Sequence, residues 1–424
     1  MKKSKTVASL ALSMIVFACG GGGSSSGSAG GGPVVILPPL APPPAPPPPP
    51  PPPPAPTLTV TADPTNTSVK RDMLVLTPNI GGRVQVSTLP NTLPAGAKSY
   101  THQWPGVYFE ASFSGDSFIA KFNDVANEYR LFIDARDPIP LAQPGRTEYR
   151  IAGLTSGAHR IRLEKVTESI GEIGAFEGFY TPANAQASPA PARARQIEFI
   201  GDSNMTGYGL RSPTRQCTQE QVRLLSDTQV SYPALTAKNF NAEYQVNAIS
   251  GRGMARNFDG IVPDLTIPLV YPFTMLDKTG AYSDPAWQPQ IIFIALGDND
   301  FFTAVRQGEQ WATPAALIAD YFDTYERFLR TLYARNPNAS VIVVWPGTPG
   351  LTNAADVALF AAGRSQLETK ARSIGFRFTE FTAIPDLGFE ATACDFHATA
   401  SDQVKQSNWL NTLLDSRPQF WAGN

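Results

Sequence analysis

Four apolar runs of strand length, QIEFI, YQVNAI, QIIFIAL and SVIVVW, fall between Gln196 and Trp345. Each is apolar nearly throughout rather than at alternate positions, so both of its faces must be covered, as in a parallel sheet sandwiched by helices. Parallel neighbours need crossovers rather than tight turns. Stretches of helical period supply them: YPALTAKNF, PAALIADYFDTYERFLRTLYARN and AADVALFAAGRSQLETKARSIG. The pattern predicts a three-layer α/β/α domain over 196–424. In such domains the chemistry gathers beyond the carboxyl ends of the strands, so the residues that follow each strand deserve the first look.

After the first run comes GDSNMTGYG, with Ser203 at the turn. After the second comes SGRGMARNF, with Gly251, and after the third LGDNDFF, with Asn299. Near the C-terminus, CDFHATASD puts His397 on the loop ahead of the last helical stretch. A serine hydroxyl becomes a nucleophile only beside a base and beside donors for the developing oxyanion. Ser203 is the candidate nucleophile, and His397 the base that takes its proton and returns it to the leaving group. The N–H groups of Ser203 and Gly251 and the Asn299 amide are the candidate oxyanion donors. Of the three histidines, only His397 lies in this domain; His102 and His159 belong to β-type segments. Asp298 and Asp300 read as acceptors that stabilise their loop.

Upstream, 57–182 has a different texture. GVYFEASFSG, SFIAKFND, EYRLFIDA, TEYRIAGL and AHRIRLEKV are short runs with β-branched or aromatic residues, separated by turn signals such as Ser156-Gly157. They predict an antiparallel β-sandwich of jelly-roll type. Residues 183–195 read as a Pro/Ala linker. Residues 20–56 read as a tether, a Gly/Ser coil followed by extended polyproline. Residues 1–19 read as an export signal, with Lys2, Lys3 and Lys5 ahead of VASLALSMIVFA, an apolar stretch too short for a comfortable span. It ends in VFAC, which resembles the lipobox of bacterial lipoproteins and makes Cys19 the candidate lipidation site; cleavage nearby in a plain secreted protein is the alternative. The expected location is a membrane-anchored lipoprotein, periplasmic or exposed at the cell surface.

A formal net charge of -2, without a basic run, argues against nucleic acid as a partner. No histidine spacing suits a zinc centre, and no GxxxxGK or dinucleotide fingerprint occurs. No cofactor or metal is expected.

The blocks GDS, SGRG, GDND and the C-terminal histidine, in that order, resemble the SGNH (GDSL-type) hydrolase superfamily. FIGDSNMTGYG, YQVNAISGRG and CDFH after a β-sandwich resemble carbohydrate esterase family 2 within it. The resemblance implies a jelly roll followed by an SGNH domain, and removal of O-acetyl groups from sugars by a Ser–His mechanism. It implies Ser203 as nucleophile, His397 as base, and Gly251 and Asn299 as oxyanion donors. An acetylated oligo- or polysaccharide is then the substrate. Many SGNH enzymes carry an aspartate three residues before the histidine, where this chain has Cys394. Asp395, two before, is the remaining candidate for a third catalytic member, although the family often orients its histidine with a main-chain carbonyl. Ala398 stands where proline is common. Tyr208, Trp287, Phe301, Phe302 and Trp345 are candidates for a sugar platform or for the core. A non-catalytic glycan-binding lipoprotein and an acyl hydrolase of other specificity are the competing readings.

With Cys19 set aside for lipid, Cys217 and Cys394 remain, an even pair that suggests a disulfide in an exported protein. Such a bridge would tie the base-bearing loop to the segment after Ser203.

Overall fold

The computed structural model describes residues 57–190 and 192–422. The signal, the lipobox cysteine Cys19 and the tether lie outside the described residues. The rest falls within one compact unit, Ala55–Asn424.

The N-terminal part is a sandwich of two antiparallel sheets. One sheet runs in the order Thr59–Asp63, Gly145–Ala152, Ser117–Asp124, Gly174–Thr181, Lys98–His102, Gln85–Thr88, with Leu74–Leu76 pairing onto Gly174–Thr181. The other runs Gln186–Ser188, Tyr108–Ser114, Ala158–Lys165, Glu128–Ile133, Ile139–Ala142, with Asn79–Gly81 pairing onto Tyr108–Ser114. Alternation decides what faces inward: Tyr129, Leu131 and Ile133 are buried while their neighbours are half-exposed. Between the sheets sits an aromatic core in which Phe176 lies 4.7 Å, ring centre to ring centre, from both Phe109 and Phe179. Residues 183–195, read as a linker, include the edge strand Gln186–Ser188. Their Arg193 also bridges Glu110 of the sandwich and Glu243 of the next domain.

The C-terminal part is a five-stranded sheet, parallel throughout, ordered Ala242–Ala248, Arg195–Gly201, Ile291–Ala295, Ser340–Val344, Thr379–Thr382. Numbered along the chain this is 2-1-3-4-5, so the switch point lies between the first and third strands. Both faces are buried, as the apolar runs require. Ile197, Phe199, Ile291, Phe293 and Ile342 pack on one side, with Tyr232, Leu410 and Leu414 from helices Tyr232–Asn239 and Ala400–Asp415. Ile200, Ile292, Ile294, Val341 and Val343 pack on the other, under Pro314–Arg335 and Ala354–Arg372. Pro314–Arg335 starts at a Thr313 cap with proline in its first turn, and buries Leu317, Tyr321, Phe328 and Leu332 on one stripe.

The two parts share a buried polar seam. Arg83, fully buried, donates to Glu198 of the first parallel strand at 3.3 Å, to the Phe273 carbonyl at 3.2 Å and to the Tyr271 carbonyl. Its guanidinium also lies over the rings of Tyr271 and Tyr282, at 4.3 and 4.2 Å from their centres. Glu198 is shared further by the Tyr271 hydroxyl and the Asn247 amide, at 2.7 and 2.6 Å. Removing one member of such a pair leaves the other charge buried and unpaired, which costs roughly 3–5 kcal/mol. Arg83→Met is therefore expected to lower the urea-unfolding free energy by about that amount; a loss below about 1 kcal/mol would show that the seam does not rest on this pair.

Candidate active site

The loops after the first three strands converge at the switch point. Ser203 opens a single helical turn, Ser203–Thr206, directly after its strand, and is 9% exposed. Asp202 caps that turn, accepting from the Asn204 N–H at 3.2 Å. Gly207 ends it in the left-handed conformation, with φ of 70°.

His397 arrives from the far end of the chain. Its Nε2 lies 2.8 Å from Ser203 Oγ, and its Nδ1 lies 3.0 Å from the Cys394 carbonyl oxygen. A carbonyl only accepts, so Nδ1 carries the proton and Nε2 of the neutral ring is left to accept from the serine. Burial pulls the imidazole below its ordinary 6.5, against the Cys394 carbonyl and the Asp395 charge, which raise it. The ring is therefore neutral, and competent as a base, at neutral pH.

The Asp395 carboxylate does not hydrogen-bond the imidazole. Its carboxylate accepts from the Tyr208 hydroxyl at 2.8 Å, and the main-chain carbonyl of Cys394 occupies the position a triad carboxylate would take. Asp395 and Phe396 both have positive φ, 50° and 64°. This tight turn swings the Cys394 carbonyl back under the ring and the Asp395 side chain away from it. Tyr208 then closes on the imidazole from its face, with ring centres 4.2 Å apart and planes inclined by 29°.

Several ties hold the base loop. Cys217 and Cys394 form a disulfide. The Asp395 N–H donates to the Arg215 carbonyl at 2.8 Å, and Arg215 Nε donates to the Ala391 carbonyl at 2.9 Å. Asp402, in the first turn of the last helix, accepts from the Glu390 and Ala391 N–H groups at 3.0 Å each. Gly209 packs its Cα directly against Cys394, where a Cβ would collide with the half-cystine, and its φ of 53° favours glycine as well.

The oxyanion side differs in one respect from the expected arrangement. Gly251 has φ of 73°, and a Cβ there would meet nothing closer than 3.9 Å. Conformation, rather than space, makes this position a glycine. Neither its N–H nor that of Ser203 has an acceptor among the described residues. Asn299, by contrast, spends both amide hydrogens, on Asp202 Oδ2 at 3.1 Å and the Arg252 carbonyl at 2.9 Å. It can turn a donor on an oxyanion only by releasing one of them. Asp300 accepts from the N–H groups of Met254, Ala255 and Arg256 at 2.7–2.8 Å, and Asp298 from that of Gly347 at 2.8 Å, so both stabilise loops.

Of the aromatic candidates, Phe301, Trp287 and Trp345 are buried and belong to the core; Trp345 stacks on Phe381 and donates to Glu368. Phe302 is 56% exposed, beside Phe258 with ring centres 5.6 Å apart. Two residues escaped the sequence reading. Phe396, 69% exposed, precedes the base with Arg215 over its ring at 4.6 Å. Glu168, on the sandwich loop between Ala158–Lys165 and Gly174–Thr181, accepts from Ser250 N–H at 2.8 Å and Ser250 Oγ at 2.5 Å. It thereby fixes the residue just before Gly251. The D-F-H run could have drawn attention to Phe396; nothing local in the sequence marks Glu168.

A parallel 2-1-3-4-5 sheet with a serine after its first strand and a histidine before its last helix defines a GDSL-type hydrolase. The family model described as GDSL-like Lipase/Acylhydrolase matches residues 199–402, and that described as Carbohydrate esterase 2 N-terminal matches residues 91–191. An acetylxylan esterase / glucomannan deacetylase of Cellvibrio japonicus is 39% identical over 343 residues, covering 81% of this chain and 92% of that protein. A solved structure of a carbohydrate esterase, its active site displaying divergent catalytic and non-catalytic binding functions, is 37% identical. It covers 82% of this chain and all of its own, with a TM-score of 0.73. A family two carbohydrate esterase of Clostridium thermocellum, solved with cellohexaose, is 21% identical, covers 81% of this chain and 100% of its own, and shares the fold with a TM-score of 0.63. The chain belongs to carbohydrate esterase family 2.

Two outcomes follow from this geometry. Protonated His397 cannot accept from Ser203, so activity grows as pH rises through the lowered imidazole pKa and is flat above it. The acid limb of kcat/KM should therefore have its midpoint below 6.5, and a midpoint above that value would contradict the burial argument. The disulfide closes a separation of 177 residues, worth about 5 kcal/mol in the chain-entropy account. The Cys217→Ala/Cys394→Ala double variant should lose several kcal/mol of stability, and about ten- to hundredfold in kcat with a smaller change in KM, because the base loop loosens. A stability loss with kcat intact would reduce the bridge to a staple.

Proposed function

We propose that this protein is a serine esterase that removes O-acetyl groups from oligo- or polysaccharides by a Ser–His mechanism. The reading rests on one observation above the others: the 2.8 Å contact between Ser203 Oγ and His397 Nε2, with Nδ1 held by a main-chain carbonyl. His397 takes the Ser203 proton as Oγ attacks the acetyl carbonyl. The oxyanion forms against the N–H groups of Ser203 and Gly251, with Asn299 joining as its amide is drawn from Asp202 or Arg252. His397 then delivers the proton to the departing sugar hydroxyl. In the second half the same imidazole activates water, and acetate leaves. The named activity of the Cellvibrio japonicus relative supports acetylated xylan or glucomannan as the substrate class.

A sugar needs apolar faces as well as a nucleophile. Phe396 offers one on the base side, and the exposed Phe258–Phe302 pair offers another near Gly251, whose carbonyl accepts from the Phe258 N–H at 2.9 Å. The lipobox at Cys19 supports display on a membrane surface. No helix among the described residues is long and apolar enough to cross a membrane.

Acetate release from acetylated xylan and glucomannan should fall by at least about a thousandfold in Ser203→Ala and in His397→Ala. Turnover near the wild-type rate in the serine variant would remove the mechanism. Phe396→Ala should raise KM for an acetylated oligosaccharide several-fold more than for p-nitrophenyl acetate, and equal effects on the two would deny Phe396 a sugar contact.

A further inference from the structure

A second feature lies on the same loop as Gly251. Arg252 is 7% exposed, yet its guanidinium makes no hydrogen bond or ion pair among the described residues, and its Nε is fully enclosed without a partner. The two other large buried arginines are treated differently: Arg83 meets Glu198, and Arg256 meets Glu309 at 2.6 Å. Burial pulls the Arg252 pKa down, and only the charge of Glu168 opposes this. Glu168 is itself committed to Ser250 and forms no ion pair with Arg252. The enclosed Nε gains nothing from the cleft beside it, whereas the two Nη nitrogens are not enclosed and remain free to meet an acceptor there.

Arg252 lines a cleft of about 550 Å³ between the two domains. Its walls are apolar: Ile249 and Leu276 on the α/β side, and Ile170 and Ile173 on the sandwich loop that also carries Glu168. Ile170 and Ile173 are 38% and 50% exposed, an apolar rim on that loop. Gln103 accepts the Leu276 N–H at 2.9 Å through Oε1, which leaves its NH2 end as a second donor on the lining. Lys278 adds positive charge at the edge, while Asp277 beside it is taken up by the Thr279 N–H at 2.9 Å and hydroxyl at 2.6 Å. The cleft thus combines an unpaired cation, a neutral donor and apolar walls, which is a cradle for a carboxylate carried on a carbon ring.

We propose that this cleft binds a uronosyl residue of the polysaccharide, its carboxylate forked onto Arg252 and its ring against Ile170 and Ile173. The proposal rests on the esterase reading above and extends it: the enzyme favours acetyl groups that lie near an acidic sugar. Arg252 directly follows Gly251 in the chain, so the cleft and the proposed oxyanion donor share one loop. A planar guanidinium suits a carboxylate better than a hydroxyl, because two parallel charge-assisted bonds form at once.

The test is calorimetric titration of the Ser203→Ala full chain with D-glucuronate and with D-glucose, repeated on Arg252→Met and on Ile173→Trp backgrounds. The Ile173→Trp change fills the cleft from an exposed loop and leaves the core intact. Glucuronate should bind at least tenfold tighter than glucose, and each added substitution should abolish that preference. Equal binding of the two sugars, or a preference that survives both substitutions, overturns the proposal. Displacement of glucuronate by equimolar sulfate also overturns it, because the cleft would then be a site for small anions. In the active enzyme, Arg252→Met should raise KM for an acetylated xylo-oligosaccharide bearing a uronosyl branch at least fivefold more than for its neutral counterpart, with the smaller change in kcat. The binding arm needs no turnover, so glucuronate binding without acetate release would fail the esterase reading alone. Acetate release without glucuronate binding would fail this inference alone.

Discussion

One primary amide ties together the loops after the first three parallel strands. Asn299, after the third strand, donates to the carboxylate of Asp202 after the first and to the carbonyl of Arg252 after the second. These loops contribute Ser203 and Gly251, so the relative placement of the proposed nucleophile and the proposed oxyanion donor depends on this cross-link. Asp202 is well suited to receive it. The carboxylate is buried, and burial together with the charge of Asp298 pushes its pKa up, so it gains from every donor aimed at it. The amide thus works first as a strut. A role at the oxyanion then has a cost, since the strut must loosen as negative charge develops; the bond released is a modest neutral or charge-assisted one, and the bond gained is to a full oxyanion in a dry site.

The sandwich is more than an appendage to this arrangement. Arg83 reaches from it into the first parallel strand through Glu198, and Glu168 reaches the loop of Gly251 through Ser250. The Glu168 loop is itself pinned beneath by Lys165, whose ammonium donates to the Gln103 and Trp104 carbonyls at 2.7 and 3.2 Å and to Ser169 at 2.8 Å. A fully buried ammonium whose hydrogen-bond partners are all neutral holds its loop inward, because each lost contact would leave a buried donor unsatisfied. The Gly251 loop is therefore held from two directions, by Asn299 within its own domain and by Glu168 from the neighbour.

Much of this was legible in the sequence, and what escaped did so for physical reasons. Parallel strands advertise themselves because both faces must be apolar, and the residues that follow them are fixed to one edge by topology alone. Ser203, Gly251, Asn299 and His397 could accordingly be singled out as a set. The orienter of His397 could not be read, because a main-chain carbonyl has no residue identity; whether Asp395 or the Cys394 carbonyl faces the ring depends on two positive φ angles that composition does not announce. The aromatic candidates, read as either platform or core, could not be sorted for a similar reason. Trp345 and Phe301 differ from Phe302 and Phe396 only in direction, and direction is set by helices packed from elsewhere in the chain. Glu168 and Arg83 lie in a domain whose β-texture says nothing about its outward face, so their partners appear only once the two domains are docked.

A carbonyl behind the imidazole, in place of a carboxylate, alters the electrostatics of the proposed base. A carbonyl fixes the tautomer and accepts the Nδ1 proton, but it brings a dipole rather than a full charge, so it stabilises the imidazolium less. The chain makes up part of the difference at longer range. Asp395 sits on the same turn, and its charge raises the imidazole pKa without touching the ring. Its carboxylate is held by Tyr208, whose own ring stacks on His397. A tyrosine hydrogen-bonded to a carboxylate places electron-rich aromatic surface against the face of the developing cation. Tyr208 thereby couples the two functions a triad aspartate combines, orientation by packing and stabilisation by charge. The disulfide fixes the carbonyl, the stacked ring fixes the plane, and the imidazole keeps a pKa low enough to remain a base at neutral pH.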